Sequence, residues 1–411
     1  MSMKSMMRLV QKRLANTVNR CCRRKRDICL CAMGKIEVLY ICHTPSLGGA
    51  AMSLFTLICS LRNEVVPTVL LPGKGSTYDL FVKNGIRCII FPFRLNIMEN
   101  SLFMHRLCFI PKALYARLKV KRCVRYVMHE MEGRDVRIVH SNSSIMTIGH
   151  DLAKALSARH VWHIREFMDL DFGLQPYYGW KSLKRKIYSS DAVVAISKAI
   201  YRHWGLDAAP YACCIWNAVR SKGDVVMRHD KEKFFFFCAA VLCDSKGVKF
   251  AIEAFAHSGL ARDGYRLVVA GNSTVEYRSE LDSLIAGLGL LDRVEFIGFC
   301  KDVKAYMSGA TAFLMCSENE GLGRVTVEAM FYGCPVIARN TGGTLDFIED
   351  KVTGLLFSDL GSCVEAMKIV AGGDTTDMVG RAQRFAVGHF SEENYGSALM
   401  DVYKRVLGME H

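Results

Sequence analysis

Proline is scarce, at 8 of 411 residues, and the 33 glycines follow no three-residue period, which excludes collagen-like and proline-rich chains. No apolar run approaches the roughly 18 residues of a membrane-spanning helix; the longest, Phe234 to Cys243, is about ten. The basic N-terminus lacks the apolar stretch of a secretory leader. The 17 cysteines are odd in number and include no C-x-x-C pair, so a disulfide framework is not expected. Cys42, Cys59, Cys238 and Cys316 lie inside apolar runs and read as buried thiols of a reducing compartment. Cys21, Cys22, Cys29 and Cys31 cluster, but at a spacing that fits no common zinc site.

What is present is globular: 51% hydrophobic and 23% charged residues, in a length that suits two domains. The net charge of +14 is uneven. Residues 1–34 hold nine basic residues against Asp27 alone, and residues 101–130 hold seven against Glu130. The rest is close to neutral, and neither basic block interleaves aromatics in the manner of a nucleic-acid platform, so no nucleic-acid partner is expected. Pro111 to Glu130 reads as a helix with Lys and Arg on one side and Leu, Val and Tyr on another. It fits an anionic membrane surface or a merely solvated face. Residues 1–34 read as a basic extension that could be a second anchor on the same anionic surface, with Met33 a reasonable start of its own.

From residue 35 short apolar runs alternate with turns and helical stretches, which predicts an α/β chain of two Rossmann-like parallel-sheet domains facing across a cleft. Strands are expected at Ile36–Cys42, Val65–Leu71, Cys88–Phe91, Val136–His140, His160–His163 and Ala192–Ile196. In the second half they fall at Phe234–Val241, Arg266–Ala270, Val294–Ile297, Ala312–Met315 and Pro335–Ala338. The irregular stretch 205–233 reads as a linker. This sets an N-terminal domain over 35–210, a C-terminal domain over 211–390, and a capped tail helix at Ser391–Leu407 that returns to the first domain.

Ligands of such sheets bind beyond the carboxyl ends of the strands. There lie Gly48 and Gly49; His140, Asn142 and Ser143; His163, Arg165 and Glu166; Ser197; Lys246 and Gly247; Gly298; and Ser317 to Gly323. The richest segment is SENEGLGRVTVEAMFYGCPVIARNTGGTLDFI, residues 317–348. Glu320 ends a loop, Gly321 and Gly323 allow close backbone approach, and a helix then starts with free amides suited to an anion. Glu328, about two turns inside, could accept bonds from vicinal hydroxyls. A solvated acid pair beside a glycine turn is the plainer reading. Ser197 serves equally as a helix cap. LPGKGST lacks phosphate-loop spacing. Trp162, Trp180 and the Phe234–Phe237 run read as packing.

The segment resembles the E-x(7)-E signature of retaining glycosyltransferases of family four, the group 1 glycosyl transferases, which have the GT-B fold. VLCDSKGVKFAIEAFA, LVVAGNS, GLGLLDRVEFIGF, DAVVAISKAI, IWNAV, HTPSLGGAAMSL, VHSNSS and WHIREF resemble further segments of that family, over about residues 35 to 407. The resemblance implies that Glu328 holds the donor ribose and that Glu320 contacts the transferred sugar. It implies that Gly321, Leu322 and Gly323 touch sugar and diphosphate through their backbone, and that Lys246 neutralises the diphosphate. Gly48 and Gly49 would approach that diphosphate from the other side. His163 would face acceptor and sugar, with Asn142, Arg165 and Glu166 on the acceptor side, and Ser317 and Gly298 would border the donor. The expected catalytic set is Glu320, Lys246 and His163. One departure stands out: Ala240 and Val241 occupy the places of the family's Gly-Arg, so one cation is missing, and Arg324 is a candidate to compensate.

The expected function is metal-independent, retaining transfer of a sugar from a nucleotide-diphosphate donor to a hydroxyl acceptor, in surface polysaccharide or glycolipid synthesis. No cofactor is expected. The partners are a nucleotide sugar and a carbohydrate or lipid-linked acceptor, and the place is the cytoplasm, peripheral on the inner face of the membrane. The alternatives are a silent nucleotide-sugar-binding protein of the same fold, a sugar-nucleotide epimerase, or a phosphorylase, which would need a lysine-bound cofactor for which the sequence gives no case.

Overall fold

The computed structural model describes residues 34–99, 109–226, 232–300 and 302–409. The chain divides into a unit Met1–Lys35 and a unit Ile36–His411. In the first, only Gly34 and Lys35 are described, so the basic extension and its cysteine cluster lie outside the described residues. Everything below concerns the second unit.

Strands β1 (Ile36–Ile41), β2 (Val65–Leu71), β3 (Arg87–Ile90), β5 (Val136–Ser141), β6 (Arg159–Ile164), β8 (Ala192–Ala195) and β9 (Ala212–Cys214) form one sheet in the order β3-β2-β1-β5-β6-β8-β9. All of its neighbours pair in parallel. A short antiparallel ribbon joins β4 (Met98–Glu99) to β7 (Leu174–Gln175). The runs are aliphatic because both faces are covered. Leu39, Ile41, Val139, Trp162 and Ile164 face one core; Val38, Ile138 and Val161 face the other, under the helices Gly49–Ser60 and Glu392–Val406.

The second sheet has the order β12-β11-β10-β13-β14-β15, from β10 (Phe234–Val241), β11 (Arg266–Asn272), β12 (Val294–Gly298), β13 (Ala312–Met315), β14 (Val336–Arg339) and β15 (Leu355–Phe357). The four phenylalanines alternate, Phe234 and Phe236 to one core and Phe235 and Phe237 to the other. Two twisted parallel sheets with helices on both faces are the GT-B arrangement.

Two expectations need correction. The domain boundary does not fall at 210/211, because β9 pairs with β8 and extends the first sheet to Cys214. The strand there is only three residues long and sits in a stretch that reads as linker, so its pairing shows only once its neighbour is known. The tail helix has no side-chain cap: Ser391 Oγ is buried without a partner. Its start is instead tied to the interlobe passage, where Glu392 N–H donates to Arg220 O (3.2 Å) and Val219 N–H to Phe390 O (2.9 Å). Tyr395, Leu399, Val402 and Tyr403 of that helix lie buried in the core of the first lobe.

Candidate active site

The second lobe brings its lysine to its acid through a glycine. After β10 the chain makes one 3-10 turn, Asp244–Lys246, and Gly247 follows at φ +75°. A Cβ on Gly247 would collide with the Cys316 carbonyl at the end of β13, so glycine is required by both backbone angle and space. This close approach sets Lys246 Nζ 2.9 Å from Glu320 Oε2. The Glu320 loop is held from the far side as well: Gly343 N–H donates to Glu320 O at 2.8 Å. Gly323, at φ +79°, starts the helix Arg324–Phe331, whose first amides have no side-chain cap. Glu328 lies on this helix, 3.0 Å from Arg220 Nη2. Each acid of the spaced pair thus has one basic partner.

The first lobe offers a second uncapped helix start. Gly48 precedes Gly49–Ser60, no side chain caps it, and both glycines are exposed. Asn142 Nδ2 donates to Ala50 O at 3.0 Å and so anchors this loop to the end of β5. Ser317 is buried at the end of β13, and Gly298, at φ +68°, ends β12. Leu322 has its side chain in the core, which leaves its backbone to line the loop. Gly321 meets the first lobe: a Cβ there would lie 3.2 Å from both Arg165 O and Ile200 Cδ1.

Other expected site residues are placed differently. His163 is fully buried. Strand alternation puts it on the face covered by the returning C-terminal helix, with ring centroids 5.4 Å from His140 and 6.5 Å from Tyr395. Its Nε2 has no partner, and burial, with the Arg165 cation second, holds its pKa well below the usual histidine value. It is a member of an internal layer rather than a wall of the opening. Arg165 belongs to the same layer: Nε donates to Asn142 Oδ1 (2.8 Å), Nη1 to Asn217 Oδ1 and Nη2 to the Tyr395 hydroxyl (3.2 Å). Glu166 Oε1 accepts from Ser143 Oγ (2.6 Å) and from the Ser144 amide (2.7 Å), so it braces the loop after β5. His140 bonds to Tyr403 (2.8 Å), and Ser197 caps its helix by accepting from Ile200 N–H (3.1 Å).

Arg324 is buried and engaged by the first lobe. Its Nη1 donates to Ser53 Oγ (2.9 Å) and Ala218 O (3.2 Å), and burial lowers its pKa below the ordinary arginine value. It ties the second lobe to the helix Gly49–Ser60 of the first. Val241, where the family's cation would sit, is 59% exposed.

Three residues at the site or its hinge were not expected. Arg220 pairs with Glu328; its signal was its place directly after the IWNAV segment. Asn217 lies inside that segment and accepts from Arg165. Asp346 Oδ2 accepts from Lys198 N–H (2.6 Å) and Trp216 Nε1–H (2.9 Å), bridging the lobes, and nothing in the sequence marks it.

Residues 221–366 match the family model described as glycosyl transferases group 1. This stretch is similar to the group 1 glycosyl transferases. It contains Lys246, Glu320 and Glu328, and ends short of the tail helix. The chain is 29% identical over 168 residues to the lipopolysaccharide core biosynthesis glycosyltransferase LpsE of Rhizobium meliloti, covering 40% of this chain and 46% of that one. It is 31% identical over 176 residues to the 2-deoxystreptamine glucosyltransferase of Streptomyces kanamyceticus, covering 41% and 45%. The chain thus spans about half the length of the curated relatives it matches. Among solved structures, Anabaena HepE in complex with UDP superposes with a TM-score of 0.73 at 19% identity, over 90% of this chain and all of that one. That likeness is one of fold and extends over both lobes.

Proposed function

We propose that the protein is a glycosyltransferase that moves a sugar from a nucleotide-diphosphate donor to a hydroxyl acceptor in surface polysaccharide or lipopolysaccharide synthesis. The observation that carries this is the Lys246–Glu320 pair, at 2.9 Å, above an uncapped helix start inside a group 1 domain. A departing nucleoside diphosphate gains negative charge, and donors already aimed at it lower the barrier most. Lys246 supplies a full positive charge and the helix amides partial ones. Gly48 and Gly49 bring a second helix start toward the same anion. Glu320 takes the hydroxyls of the transferred sugar, Glu328 those of the ribose. The relatives named for lipopolysaccharide core synthesis and for glucosyl transfer support this reaction class.

In this reading the sugar keeps its anomeric configuration and no metal takes part. The acceptor oxygen bonds the anomeric carbon as the bond to the diphosphate oxygen breaks on the same face, and the acceptor proton passes to that departing oxygen. The charge is carried by Lys246 and the amides.

The acceptor is carbohydrate or lipid-linked, and the helix Phe109–Glu130 lies against anionic membrane. Supporting this, Tyr115 and Leu118 are 53% and 50% exposed, among Arg117, Lys119, Lys121, Arg122 and Arg125. Among the described residues no helix is long and apolar enough to cross a membrane. Flotation with anionic and with neutral vesicles tests it: binding only to the anionic ones is expected, and no binding removes this part.

A second reading, a nucleotide-sugar-binding protein without turnover, is favoured by the exposed Val241 in the place of the family's arginine. A panel of nucleotide sugars, followed by release of nucleoside diphosphate with and without acceptor glycans, separates the two. Turnover supports the transferase; tight binding with no release supports the silent protein.

A further inference from the structure

Arg220 lies where the two interlobe passages run side by side. The Arg220 carbonyl accepts from Glu392 N–H at 3.2 Å, and the preceding Val219 N–H donates to Phe390 O at 2.9 Å. Its backbone is therefore held by both connections. Its side chain leaves this seat toward the second lobe and divides its fork. Nη2 lies 3.0 Å from Glu328 Oε1, Nε donates to the Tyr332 hydroxyl at 2.6 Å, and the guanidinium carbon sits 5.7 Å from the Tyr332 ring centroid. Glu328 and Tyr332 are four residues apart, hence neighbours on one helix face. A planar guanidinium that bonds both fixes its own orientation and that of the carboxylate.

The Glu328 side chain is 14% exposed. An ionised carboxylate offers about four lone-pair sites. Arg220 takes one, on Oε1, and among the described residues no other side chain bonds this carboxylate. The remaining sites are left for a ligand with adjacent hydroxyls. An unpaired Glu328 would be free to turn among rotamers, and each would present those sites in a different direction.

We propose that Arg220 is a positioning residue for donor recognition: it holds Glu328 in the orientation that receives the vicinal hydroxyls of the donor ribose. This rests on the reading of Glu328 as the ribose acceptor. Arg220 acts through Glu328 and does not touch the diphosphate. Lysine in its place keeps the charge but cannot span Glu328 and Tyr332 with one rigid fork.

The test measures nucleotide affinity by calorimetry on the full chain. The probes are UDP, GDP and ADP, and the 2′,3′-dideoxy form of whichever binds tightest. Arg220→Ala is expected to weaken the ribonucleotide about tenfold, the scale of losing one charge-assisted hydrogen bond, and to leave the dideoxy form within about twofold. Arg220→Lys falls between wild type and Arg220→Ala for the ribonucleotide alone. Glu328→Ala with Arg220→Ala costs no more than Glu328→Ala by itself. Equal losses for ribo and dideoxy forms overturn the proposal, since they place Arg220 on the diphosphate or in the fold. Unchanged affinity in Arg220→Ala also overturns it, while nucleotide binding by the wild type leaves the donor reading intact. A wild-type protein that binds none of the three nucleotides removes the donor reading and this inference together. Where Arg220→Ala melts well below wild type, Arg220→Lys carries the same ribo-against-dideoxy comparison.

Discussion

Lys246 Nζ and Glu320 Oε2 stand 2.9 Å apart although 74 residues separate them, and both side chains keep some exposure, 35% and 22%. Such a half-exposed pair contributes little to stability. Under the proposed transfer reaction its consequence is chemical: a cation suited to a leaving diphosphate and an acceptor suited to sugar hydroxyls are held side by side. Lys246→Ala is expected to lower turnover roughly a hundredfold or more, the loss attached to one transition-state donor, with the melting temperature nearly unchanged. Steady-state rates equal to wild type would remove Lys246 from the reaction.

Glu328→Ala is expected to act on binding. Nucleotide-sugar affinity should fall by roughly tenfold to a hundredfold, because two charge-assisted bonds to ribose disappear. Calorimetry showing unaltered affinity would exclude Glu328 from the ribose site.

Gly247→Ala should damage the site through the backbone. Its φ of +75° is strained for any residue with a Cβ, and that carbon would meet the Cys316 carbonyl. A loss of about 1–3 kcal/mol in unfolding free energy is expected, with Lys246 displaced from Glu320. Denaturation midpoints within error of wild type would show that the turn relaxes freely.

Acid should weaken the first lobe. His160 is buried between Ser141 Oγ (2.9 Å) and Ser190 Oγ (3.1 Å), and burial pushes its pKa down to about 3. In the unfolded chain it titrates near the ordinary value of about 6.5. Between those values the unfolded state binds more protons, so stability is full above about pH 6.5 and falls as pH drops toward 3. His140 and His163 are depressed in the same direction, by burial first. Asp171, raised to about 6 by burial, works oppositely, gaining stability as pH falls. His160→Asn should flatten the melting temperature's decline from pH 7 to pH 5. An identical slope in variant and wild type would show that His160 does not titrate on unfolding.

Some of this was readable along the chain because it is local. Phe234–Val241 shows itself as a strand through an unbroken apolar run, Val65–Leu71 through a mostly aliphatic one broken only by Pro67 and Thr68, and Gly247 and Gly323 mark turns. The spacing of Glu320 and Glu328 places both on one loop-helix unit whatever surrounds it. The burial of His163 is not readable locally, because its neighbour across the sheet face, Tyr395, arrives 232 residues later on the returning helix. Arg324 sits beside the glycines in sequence, yet its guanidinium bonds to Ser53, 271 residues away on the other lobe. Neither partner leaves a trace near the residue it captures.

By itself the sequence determined the alternation of strands and helices, the two lobes, and the glycine-acid-lysine set, since hydrophobic period and turn chemistry act within a dozen residues. Only the tertiary structure decided which charges meet: Lys246 with Glu320, Arg220 with Glu328, and Arg324 with the opposite lobe. A strand's alternation assigns a side chain to a face, but what covers that face depends on where distant segments return. Electrostatic partnership falls off over a few ångströms in space and is blind to separation along the chain.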